Sequence, residues 1–448
     1  MEYRRAVIPA LVGGLLLTGL LWWAGASTEA LRLPGASSVL GGRAAAELEH
    51  WLVPWSYEVP ASVRYGAESY GADTLDGSGH YLSLYTTGMQ IRFAAVLLFF
   101  VAGALLLVRR LPPVNGRMPA ALLAVWAWGL VAGNLAVAVS APWLIAAAGR
   151  GSYRFLPQLA SVISSGRQIL VLAALVAAVV TVLAARITAK GAGPLPQAVV
   201  PAAAARWAAT AGTAVVAVSL VVLSYQPVAA AIQTSPSGTG FLAEPGELLR
   251  QWLLLGAWSS PAGTPVGHWF LYRLVDALLL VVVWWSLRKL PVLLTRTTIP
   301  AMAVGAVCAV VLGLLVSQLV QVAMNDAGMR WGLLHLSGVL GGNVPAAMTF
   351  GLLAGITAAV TLRVAAGLVG TGITGSGITG SGTAGPVAAS SGFTGPVAPS
   401  SGFTGPDATG PDATGSGVTG REATGSGVTG PDATGPDVPD TGKGPSRP

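Results

Sequence analysis

Few side chains in this sequence could do chemistry inside a membrane, and those few are regularly spaced. Gly305, Ala309, Gly313, Ser317, Gln321 and Asn325 recur every four residues along one apolar run, with Gln318 adjacent. At helical spacing they make a single face that grades from small to polar. An earlier run carries Asn134 and Ser140 beside a comparable small face of Gly129, Gly133 and Ala136. Polar groups in hydrocarbon are costly, so Asn134, Ser140, Ser317, Gln318, Gln321 and Asn325 form a candidate polar path for a solute. The same spacing also suits close helix packing through small residues, with side-chain hydrogen bonds as adhesive, and that is the simpler reading.

Arg273 and Asp276 stand one helical turn apart, close enough to pair and so lower the cost of burying either. A carboxylate so placed suits ion-coupled transport, and a structural pair near the interface is the simpler role. His80 and His268 each follow a glycine and precede an aromatic residue just before a long apolar run, but no metal-ligand spacing such as HxxxH or HExxH accompanies them. They remain weak metal candidates. No GxSxG, P-loop or zincin motif and no pair of intramembrane carboxylates is present, so no residue is assigned a catalytic role and no cofactor is expected. A single cysteine, Cys308, allows neither an intramolecular disulfide nor a cysteine metal site.

The elements that must position these residues follow from composition. With 53% hydrophobic and 10% charged residues, the chain is far more apolar than a soluble protein of its length. The apolar residues come in blocks near the roughly 20 residues that cross a bilayer as a helix. Eight such runs lie at about 6–24, 93–108, 119–148, 168–185, 207–232, 270–287, 299–324 and 346–366. The first could be a signal peptide ending at Ala24-Gly25-Ala26, but a matching run with the same arginine flank opens the second half, which favours an uncleaved helix. The segment 26–90 is more acidic than basic and rich in Trp and Tyr, which suits an ordered outer cap. The net charge of +7 comes from basic residues beside the apolar runs, in no stripe or cluster, so nucleic acid is not an expected partner.

Arg109, Arg110 and Arg117 in one turn, Arg186, Lys190 and Arg206 in the next, and Arg288, Lys289 and Arg296 in a third fall on the same side as Arg4 and Arg5. The positive-inside rule makes that side, and both termini, cytoplasmic in a bacterial cell membrane. The loop with Arg150, Arg154 and Arg167 dissents. An internal repeat is also legible. Arg5 and Trp51 map onto Arg206 and Trp252 at one offset, and Arg109, Leu111 and Pro112 map onto Arg288, Leu290 and Pro291 at another. The expected fold is an all-α polytopic membrane protein of eight spans, built as two parallel four-helix repeats, 1–186 and 206–368, joined by a connector at 187–205.

From 369 the chain becomes a repetitive tail, with GPVAASSGFT at 385–394 and GPVAPSSGFT at 395–404 followed by five-residue repeats. Too few large apolar residues remain to offset chain entropy, so disorder is expected there. The functional expectation is a transporter or permease subunit for a small solute. The alternative is a non-catalytic scaffold that binds a protein partner through loop 26–90 or the tail, with the lipid bilayer as partner in either case.

Overall fold

In hydrocarbon every peptide N–H and C=O must find a partner inside the protein, and a helix meets that demand within each segment. The computed structural model of the chain describes residues 3–33, 35, 38–39, 41–59, 75–113, 116–148, 155–189, 200–234, 245–256, 265–324 and 340–374. Their regular structure is helical. In chain order the main helices are α1 (Tyr3–Ala26), α2 (Gly42–Leu52), α3 (Leu75–Arg110), α4 (Met118–Ala147), α5 (Phe155–Ser164) and α6 (Arg167–Thr188). Next come α7 (Ala202–Ala217), extended by a π-helical turn at Val218–Leu223, then α8 (Gln226–Thr234), α9 (Gly246–Leu253), α10 (Val266–Leu293), α11 (Ile299–Met324) and α12 (Val344–Thr374). Eight of them, α1, α3, α4, α6, α7, α10, α11 and α12, are long and apolar enough to cross a membrane. Proline sits in the first turn of α4 (Pro119), α11 (Pro300) and α12 (Pro345), where its missing N–H has no helical acceptor to lose.

The boundaries agree with the apolar runs except in four places, the first being the run expected at 207–232, which ends as a span at Leu223 and resumes as the separate helix α8. Helix α3 starts at Leu75, inside the segment expected as loop, because the Ser-, Thr- and Tyr-rich stretch before Arg92 continues the helix. Arg288 and Lys289 lie within α10 and not in the turn after it. Helix α12 runs to Thr374, past the expected start of the tail at 369, and the remainder of that tail lies outside the described residues.

The helices pack as two sets of four. In the first, α1 packs on α3 and α6, α3 on α4, and α4 on α6; in the second, α7 packs on α10 and α12, α10 on α11, and α11 on α12. The cyclic order is the same in both. The sets meet along α4 and α11, with smaller contributions from α3 against α11 and α12 against α4. Tight seams rely on missing side chains. A Cβ added at Gly355 would lie 2.5 Å from Ala303 Cα, and one at Gly351 would lie 2.7 Å from Val307 Cα, so α12 and α11 touch backbone to backbone.

Alternation of the spans places the start of α1, the end of α12, the last helical turn of α3 with Arg109 and Arg110, and the turns holding Arg117 and Arg296 at one end of the bundle, here the basic face. There the Arg117 guanidinium donates to Leu293 O at 3.1 Å, and Thr295 N donates to Arg110 O at 3.0 Å, joining the two sets. Helices α2, α5, α8 and α9 cover the opposite, capped face. Exposed tryptophans mark both levels: Trp22 (54%) and Trp23 (66%) near the capped face, Trp207 (67%) and Trp285 (58%) near the basic face. Amphipathic rings in such positions suit the two water interfaces of a bilayer.

Candidate functional site

Burial is deepest along α4 and α11, so the small-to-polar face of α11 can be followed residue by residue. A Cβ at Gly305 would meet the Leu290 side chain at 2.8 Å, and one at Gly313 would meet Val283 at 3.2 Å and Leu279 O at 3.3 Å. The glycine part of the face is therefore filled by α10. Along the meeting line of α4 and α11 the contact is apolar, with the buried Cys308 Sγ 3.3 Å from Ala124 O.

The polar members of the two faces lie higher, toward the capped face, and most are satisfied locally. Ser317 Oγ donates to Leu314 O at 2.7 Å, and Asn134 Nδ2 donates to Leu130 O at 2.8 Å, each within its own helix. Gln318 clamps the turn before α12: its Nε2 donates to Gly342 O at 3.1 Å and its Oε1 accepts from Gly341 N at 3.1 Å. Gln321 is half-buried on the last turns of α11. Asn325 lies outside the described residues.

Ser140 leads to the residue that sequence reasoning missed. It donates to Val137 O at 3.1 Å and accepts from Arg92 Nε at 2.9 Å. Arg92 is fully buried in α3; its Nη1 donates to Pro54 O and its guanidinium carbon stands 5.7 Å from the centre of the Trp55 ring. Trp55 in turn donates from Nε1 to Gly166 O at 2.9 Å, at the left-handed residue (φ 71°) that caps α6. One arginine thus ties the 53–58 segment to α3 and α4, and Trp55 extends the tie to α6. Arg92 lies roughly 27 Å along the helix from Arg110, at about 1.5 Å per residue, which is close to the far edge of a roughly 30 Å hydrocarbon core. Reading the span as starting at residue 93 left this arginine just outside it.

Among the described residues, side-chain contacts tie the parts of the cap to one another. Arg32 bridges Glu49 at 2.8 Å and also pairs with Glu58, and these hydrogen bonds, Glu49 first, raise its pKa. Tyr57 stacks on Phe93 with ring centres 5.4 Å apart, and burial raises its hydroxyl pKa. Tyr85 Oη donates to Ser56 O at 2.9 Å.

Between the two sets, at the capped end, lies a cavity of about 670 Å³, within the size range of small-molecule sites. From the first set Asn134, Ser164 and Arg167 line it; from the second come Ser224, Gln226, Gln251 and Asn343. Two features shape the wall. The π turn in α7 brings Ser219 Oγ onto Leu253 O, while Ser224 Oγ donates to Ser219 O at 2.7 Å and receives Gly256 N at 3.4 Å. Such turns recur at functional sites because they re-aim the residues that follow. Asn343, left-handed at φ 59°, starts α12 and donates to Leu255 O at 3.4 Å. Gln251 Nε2 donates across the sets to Ala160 O at 2.8 Å. The cationic lining groups are Arg167 and Arg250, and no Asp or Glu stands among the described lining residues.

Arg273 and Asp276 do pair, Nη1 to Oδ2 at 2.8 Å, one turn apart on α10 with side chains 13% and 18% exposed. A Cβ at Gly256, a lining residue, would stand 3.8 Å from Asp276 Oδ1, so the ion pair backs the cavity wall. His80 falls on α3 and His268 on α10, in different sets, and no cluster of three or more metal-ligating side chains occurs among the described residues. No protein-family model, curated protein or solved structure matches this chain.

Proposed function

We propose that this is a multi-span membrane protein of transporter or permease type, whose two sets of four helices are parallel repeats and whose solute site is the cavity between them. The cavity carries the reading: a concave, polar-lined space at the meeting of two helix sets is where a solute could be held and passed on by rocking one set against the other. The shared cyclic packing order supports the repeat. The concentration of Arg109, Arg110, Arg117, Arg186, Arg288 and Lys289 toward one face supports cytoplasmic termini, with the cavity opening to the outside of a bacterial cell membrane. Asn134, which lines the cavity, is the member of the sequence-derived polar path with the strongest claim to touch solute.

The apolar seam below the cavity gives the second reading its support. A non-transporting scaffold would keep α4 and α11 closed at all times, whereas a transporter must part them. Cys308, the single cysteine, sits buried in that seam and reports directly. In inverted vesicles a transporter exposes Cys308 intermittently, so a membrane-impermeant maleimide applied from the basic face labels it progressively. If labelling stays at background in vesicles and reaches completion only in denaturant, the transport reading is lost and the scaffold reading stands.

A further inference from the structure

The cavity is built for charge of one sign. Arg167, the first residue of α6, lines it and has no hydrogen-bond or ion-pair partner among the described residues, and its Nε is buried without an acceptor. A guanidinium held half out of water without a counter-charge is costly, and an anion beside it would offset that cost. The N-terminal turn of α6 is capped by Gly166, which supplies no side-chain acceptor, so its first N–H groups add positive potential at the same place. The start of α12, at Asn343, meets the same cavity. Asp276, the carboxylate behind the wall, is already held by Arg273.

The remaining lining describes the body of the ligand. Gln251 Nε2 is fixed on Ala160 O, which leaves its Oε1 a buried acceptor with no hydrogen-bond partner among the described residues. Asn134 and Asn343 add carboxamides. Carboxamides and an unmet acceptor suit hydroxyl groups, and about 670 Å³ is far more than a bare oxyanion fills.

We infer that the cavity binds an organic phosphate carrying hydroxyl groups, with the phosphate at Arg167 and the hydroxylated body along the Asn134, Gln251 and Asn343 side. This rests on the reading of the cavity as a solute site. The same chemistry is found in a free polyol phosphate and in the headgroup of an anionic lipid such as phosphatidylglycerol.

The test uses the full-length protein purified in detergent, with sn-glycerol 3-phosphate as the free probe and glycerol as its uncharged control. For the lipid arm, native mass spectrometry counts phosphatidylglycerol retained by the same sample. Wild type should bind one of the two phosphates, shown by a raised thermal midpoint or by retained lipid, and glycerol should have no effect. Arg167→Gln should weaken that binding about tenfold or more, and Arg167→Lys should recover part of it. Ala230→Trp, which fills the cavity from its wall without touching the charge, should abolish binding in whichever arm was positive. It also decides the matter if Arg167→Gln does not fold. Equal binding of glycerol, unchanged binding in Arg167→Gln or Ala230→Trp, or no binding in either arm overturns the proposal. Because the readout is binding, its outcome is separate from Cys308 labelling: a site that binds phosphate while Cys308 stays closed keeps this inference and loses transport.

Discussion

The two sets of four helices meet the same structural demand with different chemistry. In each, the second helix carries a cation near the capped face, close to a chain segment that turns back toward the bundle. In the first set the cation is Arg92, whose partners are a backbone carbonyl, a serine hydroxyl and a tryptophan face. In the second it is Arg273, whose charge is balanced one turn away by Asp276. The entry to the fourth helix differs in the same way: a left-handed glycine, Gly166, bound by Trp55, against a left-handed asparagine, Asn343, bound to Leu255. The first set spends its polar groups on gluing its cap shut. The second balances its cation within one helix and supplies most of the cavity wall.

Rescue is the sharpest way to break this comparison. Arg273→Leu strands a largely buried carboxylate and should cost about 3–5 kcal/mol of unfolding free energy in detergent, while adding Asp276→Leu should bring stability back close to wild type. A double variant as unstable as the single would show that the pair is no closed unit. Next in size, Arg92→Leu should cost about 2–3 kcal/mol through loss of charge-assisted hydrogen bonds and the ring contact. No second substitution should rescue it, since Pro54 O stays behind unpaired; recovery with Ser140→Ala would contradict the assignment. The smallest effect belongs to Trp55→Phe, which removes the Nε1–H bond to Gly166 and part of a fully buried ring while leaving an aromatic face for Arg92, and should cost about 1–2 kcal/mol. A loss as large as that of Arg92→Leu would mean that Trp55, not Arg92, holds the cap.

Much of this architecture could be read from the residues, and the misses have physical causes. The span at 299–324 was legible to the residue because Pro300 opens it and uninterrupted apolar side chains fill it. The start of α3 was not, since Ser, Thr and Tyr are tolerated on a helix that leaves the hydrocarbon for a protein cap, and no local signal separates that from a loop. Missing that start concealed Arg92. The four-residue series on α11 was seen, but periodicity cannot say which neighbour a face meets, and its glycines proved to receive α10 side chains. The cavity was least legible of all. Its lining comes from α4, α5, α6, α8, α9, the start of α12 and three turns, and only Asn134 among its residues stood out as polar within an apolar run.

The π turn at Val218–Leu223 has a consequence for helix phase. Each residue of an α-helix advances the chain about 100° around its axis, and a π turn holds one residue more than the α turn it replaces. The segment after Leu223 is thereby rotated relative to α7 below it, which separates two tasks within one stretch of chain. Below the turn Ala208, Ala209 and Gly212 keep the phase that packs the bundle; above it Ser224 and Gln226 point where an unbroken helix would not have sent them. In effect, one extra residue acts as a swivel that lets a packing helix also supply a polar wall.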